Sequence, residues 1–359
     1  MDIIITSPSL NPQENVSGIS TVTSFIIRNN TAQHYLHFQL GRKDNERGGW
    51  HRGLALVRRY QCWKDLLRTH PQALIHYNFP LSKASLLRDP WFMGYALRHR
   101  RKMVVHVHGG FFLMAQHIPK LPRLILKWVF RHDVPFIVLS ENEKHILESR
   151  FGARSVSVLP NAVDLKDAEK YAQEPTDEAG QKNLRIGYLG RIEPNKGMTE
   201  LLGACVKLAG RGCDFSLVLA GKEQTSGEYL PRFEQALGRH FEYAGLVFGE
   251  AKCRFLRSLD LFILPSYFEG LPMSLLECMS YGVTPVVTPV GSIPNVVENG
   301  VNGIFIRHHD EDSIVEAILR LDKDRVLLHA LGKEARQTIL NGFSPQSYVK
   351  TLNRIYNLA

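Results

Sequence analysis

Residues 259–282 read LDLFILPSYFEGLPMSLLECMSYG, and the change of pattern inside this stretch decides the fold. An apolar, strand-like run stops at Pro265-Ser266, and from Met273 the pattern turns helical. A strand that ends and restarts as a helix points the helix's first free backbone N–H groups into a crevice, where an anion can sit. Glu269 falls in the connecting loop. Glu277, eight residues on, falls about two turns into the helix. Two carboxylate acceptors then face different parts of one bound molecule, and the vicinal hydroxyls of sugars are the obvious donors to them.

Outward from this stretch the same alternation repeats. From Leu184 the chain runs LRIGYLG, a helix near Thr199–Ala209, FSLVLAG, a helix near Leu230–Leu237, a short strand at Phe241–Tyr243, LFILPS, the helix carrying Glu277, TPVVT and NGIFI. The first half alternates likewise: DIIIT then GISTVTSFIIRN; ALIHY then a helix to about Arg101; MVVHVH; PFIVLS then ENEKHILESRF. Strand–helix alternation means parallel sheets covered on both faces. Between the halves, the polar stretch that follows VSVLP reads as a linker. At the end, SPQSYVKTLNRIYNLA spaces Tyr348, Leu352, Ile355 and Tyr356 as one helical face, able to cross back to the first half. The expected division is residues 1–163, 164–340 and a crossing helix in 341–359.

At 359 residues and 44% hydrophobic composition, the chain exceeds the size at which a single core stops growing, which implies two domains. No stretch approaches the roughly 18 apolar residues of a membrane span, and MDIIITSPSL lacks a signal peptide's basic start. A cytoplasmic protein is expected, either free in the cytosol or peripheral at the inner face of the membrane. Five cysteines without a C-x-x-C pair argue against a disulfide framework or a zinc site and read as small buried residues. Charge is uneven: residues 1–160 carry +12 and residues 161–359 carry −3. The basic half points to an acidic partner. No nucleic-acid module or aromatic platform accompanies it, so an anionic membrane surface or a phosphorylated acceptor fits better than nucleic acid.

Open α/β sheets bind ligands beyond their strands' carboxyl ends. Three loops of the second half meet that demand. In LGRIEPNKG, Gly190 ends a strand, and Arg191 and Lys196 can both reach a pyrophosphate, one as a fork and the other as a point charge. In LAGKEQ, Gly221 lets a ligand approach the backbone. In SYFEGLPMSLLECMSYG, with the following TPVGSIPN, Gly270 permits an unusual turn and Pro272 suits the first turn of a helix. Taken singly, each has a plain reading: a solvated cation pair, a turn glycine, an exposed helix face. Their joint position at three strand ends favours a site.

These motifs, LGRIEPNKG, LAG, PSYFEGLPMSLLECMSYG and NGVNGIFI, closely resemble the retaining GT-B glycosyltransferases of the E-x7-E type (family 4, group 1), over about residues 184–306. The resemblance implies two doubly wound Rossmann-like domains facing across a cleft, the first binding acceptor and the second binding a nucleotide-diphosphate sugar. It gives Arg191 and Lys196 to the diphosphate, Glu277 to the ribose and Glu269 to the donor sugar. Backbone amides from Gly270 and Leu271 onward complete the contacts, and Gly190 and Gly221 line the donor site. In the first half, QENVSGIST resembles the family's glycine loop, with Ser17-Gly18 where many relatives carry two glycines. Asn295 stands where relatives often have Glu.

His108 ends MVVHVHGGF where the family has a His near the transferred sugar, while His106, two residues earlier on the same strand face, reads as packing. Two histidines without a third ligand are weak evidence for a metal. No cofactor and no catalytic metal are expected. The implied activity is a hexosyl transfer to a glycan or polyprenyl-diphosphate-linked acceptor in bacterial surface polysaccharide synthesis, with the leaving phosphate taking the acceptor's proton. Acceptor choice would lie in residues 13–21 and 39–51, and donor choice in loops such as 222–229. The alternatives are a GT-B-like nucleotide-sugar epimerase and a non-catalytic nucleotide-sugar-binding protein. A dehydrogenase is disfavoured because neither half has G-x-G-x-x-G after its first strand. Finally, HIPKLPRLILKWVFRHD sets Leu121, Leu124, Ile125 and Trp128 on one helical face among Lys120, Arg123, Lys127 and Arg131. That face could either lie on anionic lipid or cover the sheet.

Overall fold

The computed structural model describes residues 1–41, 50–115, 117–171, 183–224 and 227–359. Most of the 39–51 segment, Thr225 and Ser226 of the 222–229 loop, and residues 172–182 of the expected linker lie outside the described residues. Two compact units divide the chain, one of Met1–Asn161 with Pro345–Ala359 and one of Ala162–Ser344.

The first unit holds β1 Asp2–Ser7, β2 His34–Gln39, β3 Leu74–Phe79, β4 Met103–Val107, β5 Phe136–Val138 and β6 Val156–Val158, ordered β2-β1-β3-β4-β5-β6 and parallel throughout. All six β3 residues are buried, as expected for a strand covered on both faces. Period-2 alternation then assigns the faces. Ile75, Tyr77, Val105 and Val107 pack against Trp63, Phe92, Leu126 and Phe130 of helices 50–69, 83–98 and 120–130. His76 meets Tyr356 of helix 345–356, on the opposite face. That terminal helix also seats Tyr348 edge-on against Phe25 at 5.3 Å, and Asn353 and Asn30 exchange side-chain hydrogen bonds at 2.9 and 3.1 Å.

The second unit holds β7 Leu184–Leu189, β8 Phe215–Ala220, β9 Phe241–Gly245, β10 Leu261–Leu264, β11 Thr284–Val287 and β12 Ile304–Phe305, ordered β12-β11-β10-β7-β8-β9. The chain fills one half of this sheet outward from β7, then returns to β7's other side with β10. The topological switch point therefore lies between β7 and β10.

Both sheets were legible as strand–helix alternation, yet several elements escaped the sequence reading. β2 is a partly exposed edge strand whose HYLHFQ pattern is too polar to register as an apolar run. Helices 249–257, 311–323 and 325–342 were not anticipated. Capping alone marks the last two: Asp310 accepts from the Ser313 amide at 3.0 Å and Asp324 from the Leu327 amide at 2.9 Å. Of the five cysteines, Cys62 is exposed rather than buried, because it lies on the outer side of helix 50–69.

Candidate active site

At the switch point of the second sheet the loop after β7 meets the loop after β10. The Pro194–Lys196 turn ends at Gly197, whose φ of 71° opens helix 198–210. A side chain at Gly197 would overlap the Pro265 carbonyl. The Tyr267 amide donates to the Asn195 carbonyl at 2.9 Å, tying the two loops together. On this scaffold Lys196 Nζ donates to Glu269 Oε1 at 2.6 Å, with both side chains largely sheltered from solvent. Arg191, between Gly190 and this turn, is half-buried. Its carbonyl accepts from the buried Tyr188 hydroxyl, and burial together with Glu269 and Glu193 pushes that phenol well above its usual pKa.

Two glycines show why these loops fit one another. Gly221 has φ of 139°, and a Cβ there would collide with the Gly190 carbonyl. Loop-on-loop packing by itself thus requires glycine here. Gly291 has φ of 57°, and a Cβ there would collide with the carbonyls of Glu269 and Gly270. The Ser292 amide also donates to the Gly270 carbonyl at 2.9 Å. The loop after β11 therefore holds Glu269 and Gly270 in place, a role for Gly291 that nothing in the sequence singled out.

Leu271 is buried at the mouth of helix 273–280, and Pro272 forms its N-cap. Glu277, on that helix, is largely sheltered and accepts from Lys252 Nζ at 2.7 Å. Lys252 lies on the unanticipated helix 249–257, and no sequence signal distinguished it from any surface lysine. Asn295 sits exposed in the Ile293–Asn295 turn.

Gly18 and His108 belong to the first unit. Gly18 opens helix 18–29 with nothing within 4 Å of a Cβ placed there. His108 follows β4, and its Nε2 lies 2.6 Å from Asn78 Oδ1. Asn78 Nδ2 donates to the Thr6 carbonyl at 2.7 Å and to Thr23 Oγ1 at 3.0 Å. The amide is thereby oriented with its oxygen toward the imidazole. An amide oxygen only accepts, so Nε2 carries the proton. Burial, and then the charge of His76, hold the ring's pKa down at about 3, leaving it neutral with a lone pair on Nδ1. An Asn within the apolar run ALIHYNF was the only sequence hint of this arrangement.

Behind His108 the His106 ring packs at 4.1 Å between centroids. His106 Nδ1 lies 3.2 Å from His76 Nε2, and His76 Nδ1 lies 2.7 Å from the Tyr356 hydroxyl. His106 Nε2 is buried and has no hydrogen-bond partner among the described residues. A lone pair there costs less than an orphaned N–H. That choice makes His106 donate to His76, and His76 donate to Tyr356. Among the described residues no group of three or more His, Cys, Asp or Glu is placed to hold a metal ion.

A family model described as glycosyl transferases group 1 matches residues 183–324, and one described as glycosyltransferase family 4 matches residues 31–167. The chain belongs to these glycosyltransferases. It is 27% identical over 274 residues to the UDP-Gal:alpha-D-GlcNAc-diphosphoundecaprenol alpha-1,3-galactosyltransferase of Escherichia coli, covering 71% of this chain and 68% of that protein. It is 29% identical over 262 residues to the lipopolysaccharide 1,2-N-acetylglucosaminetransferase of Salmonella typhimurium, covering 68% of this chain and 63% of the relative. HepE of Anabaena, solved with UDP-glucose, superposes over the full length of both chains with a TM-score of 0.74 at 17% identity. The fold is thus GT-B, with two Rossmann-like domains. No helix among the described residues is long and apolar enough to cross a membrane.

Proposed function

We propose that this glycosyltransferase takes a hexose from a nucleotide-diphosphate sugar and transfers it, with retention, to a lipid-linked glycan of a bacterial surface polysaccharide. The observation that carries the reading is the meeting of Lys196 and Glu269 at the switch point, beside Arg191 and the start of helix 273–280. Cations and free amides at one strand-end rim suit a diphosphate, and a carboxylate beside them suits sugar hydroxyls.

In this reading the diphosphate recruits Lys196 and Arg191, which meet the negative charge that grows on the leaving group. Glu269 orients the sugar and Glu277, steadied by Lys252, accepts from the ribose. Amides from Gly270 and Leu271 onward, with Gly190 and Gly221 shaping the rim, complete the donor site. His108, in the first unit, offers a neutral ring whose Nδ1 lone pair can accept from a sugar hydroxyl, and Gly18 leaves open space at the head of its helix. The acceptor hydroxyl attacks from the leaving group's own face. Its proton passes to the departing phosphate, so neither a protein nucleophile nor a catalytic metal is needed.

The acceptor class is supported by the relatives, whose names specify a diphosphoundecaprenol-linked sugar and lipopolysaccharide. A thermal-shift screen of UDP, GDP and ADP with their sugars tests the donor, and NMR of the product's anomeric centre tests retention. Binding of a nucleotide sugar with slow hydrolysis to the same anomer is expected. An inverted product would overturn the retaining mechanism. Conversion of the donor to its epimer without an acceptor would favour an epimerase.

A further inference from the structure

Asn78 joins three elements of the first unit near the carboxyl ends of its strands. Its backbone amide donates to Thr6 Oγ1 at 3.0 Å, close to the end of β1. Its side-chain nitrogen spends both hydrogens, on the Thr6 carbonyl and on Thr23 Oγ1 of helix 18–29. The side-chain oxygen is left for His108 Nε2. Turning the amide over would set that oxygen 2.7 Å from the Thr6 carbonyl, lone pair against lone pair. The two threonines therefore decide which end of the amide meets the imidazole. A strand that needed only to fill space would carry an apolar residue here, because a buried amide is costly unless each of its groups is paired.

The chain just beyond Asn78 holds the same turn. The His108 amide donates to the Phe79 carbonyl at 3.3 Å. Leu81 is buried and left-handed, with φ of 49°, and a Cβ at Gly110 would lie 2.9 Å from its own Cβ. Such strain persists only where the surroundings over-determine it, and it gathers at functional sites. The end of β3 thus grips the His108-Gly109-Gly110 turn through side chain, backbone and packing.

The consequence is a choice of partner. A neutral ring with its proton on Nε2 presents at Nδ1 a lone pair and nothing to donate. A hydroxyl can give it a hydrogen bond, whereas a carboxylate can only oppose it, and repulsion of that kind is what separates similar ligands. We infer that Asn78 is a positioning residue that holds His108 as an obligate acceptor, so that the sugar taken there is a neutral hexose with a free hydroxyl and not a uronic acid. It deepens the donor reading given above, and rests on that reading's placement of His108 beside the transferred sugar.

Two measurements on the full chain test it. Histidine is labelled with nitrogen-15, and NMR reads which ring nitrogen of His108 is protonated, its signals being assigned by their loss in His108→Gln. The Nε2–H form is expected in the wild type and a mixture of tautomers in Asn78→Ala. Hydrolysis of UDP-glucose, UDP-galactose and GDP-mannose is then compared with that of the uronic acid of each. The wild type should favour the hexose by about a hundredfold or more in kcat/KM. In Asn78→Asp the added charge favours the doubly protonated ring, which donates at Nδ1. Selectivity should narrow about tenfold, mainly through gain of the uronate, and Asn78→Ala should narrow it through its freed tautomer. Nδ1–H in the wild type, an unchanged tautomer in Asn78→Ala, equal use of the uronate by the wild type, or a selectivity that both variants keep would each overturn the inference. Hydrolysis of no donor by the wild type would instead overturn the donor reading, and the inference with it.

Discussion

Lys196 Nζ and Glu269 Oε1, 2.6 Å apart, join the loops that follow β7 and β10, the two strands flanking the switch point of the second sheet. Each holds the other over the rim proposed to take the diphosphate, so each acts partly through its partner.

The first prediction follows from that coupling. Removing one preorganised donor from a developing charge costs about 3–4 kcal/mol of barrier, or about two to three orders of magnitude in turnover. Arg191→Ala and Lys196→Ala should each lose about that much kcat with the fold intact. Glu269→Gln should also lower turnover, and combining it with Lys196→Ala should cost less than the two singly, because contacting residues are not additive. Steady-state rates of the four proteins decide it. Unchanged turnover in Arg191→Ala would remove the diphosphate assignment.

Glycine substitutions separate loop support from ligand contact. Gly291→Ala forces a left-handed residue and a collision with the Glu269 and Gly270 carbonyls. About 1–3 kcal/mol of stability should go, and donor binding with it. Gly18→Ala meets no atom within 4 Å and no positive φ, so melting should be unaltered. Any activity lost in Gly18→Ala would then report a bound ligand passing close to that backbone, which a donor titration of the variant reads directly.

How much of this is legible in the sequence depends on what each signal rests on. Gly190, Arg191, Lys196, Glu269 and Glu277 follow from local pattern, since strand–turn–helix punctuation fixes which residues face the strand ends. Lys252, and Gly291 within TPVGSIPN, reach the same rim only through tertiary packing, which no local pattern reports. Helix 120–130 shows the converse. Its periodicity was plain but left open whether the face of Leu121, Leu124 and Trp128 covers the sheet; neighbouring helices decide it, and the fold buries Leu126, Val129 and Phe130 instead.

Lys252 should act on donor affinity rather than on chemistry. Its 2.7 Å contact fixes one oxygen of Glu277, and a hydrogen bond between charged groups is worth about 1.5–3 kcal/mol. Lys252→Ala is therefore expected to raise the donor KM about tenfold or more with kcat little changed. Glu277→Gln should behave alike, and the pair should not add. An equal fall in kcat and kcat/KM would show that Lys252 serves the transition state instead.

The histidine row makes the first unit acid-sensitive. Burial lowers His76 to about 4 and His108 to about 3, and holds His106 well below its ordinary value near 6.5. Below about 6.5 the unfolded chain binds protons that the folded chain refuses, so stability is full above that pH and declines as pH falls toward the folded values. Each such histidine contributes a slope of up to about 1.4 kcal/mol per pH unit. Urea melts from neutral pH down to about 4.5 should show this decline, and His76→Asn should flatten it. A stability that stays level across that range would contradict the neutral, buried row.

Tyr356 links the end of the chain to that row, and its contribution can be read in isolation. All four tryptophans, at 50, 63, 91 and 128, precede residue 161 and so report only on the first unit. Tyr356 and Tyr348, though near the end of the chain, are buried in that same unit. Tyr356→Phe strips His76 Nδ1 of its 2.7 Å partner, leaving a buried polar group unsatisfied at a cost of about 1–3 kcal/mol. The tryptophan-detected transition should move to lower urea by that amount, while unfolding of the second unit, followed by protection from nucleotide, stays in place. Deleting residues 345–359 should shift it further, since Tyr348, Leu352 and Ile355 lose their burial as well. An unmoved tryptophan transition in the deletion would mean that the helix does not support the first unit.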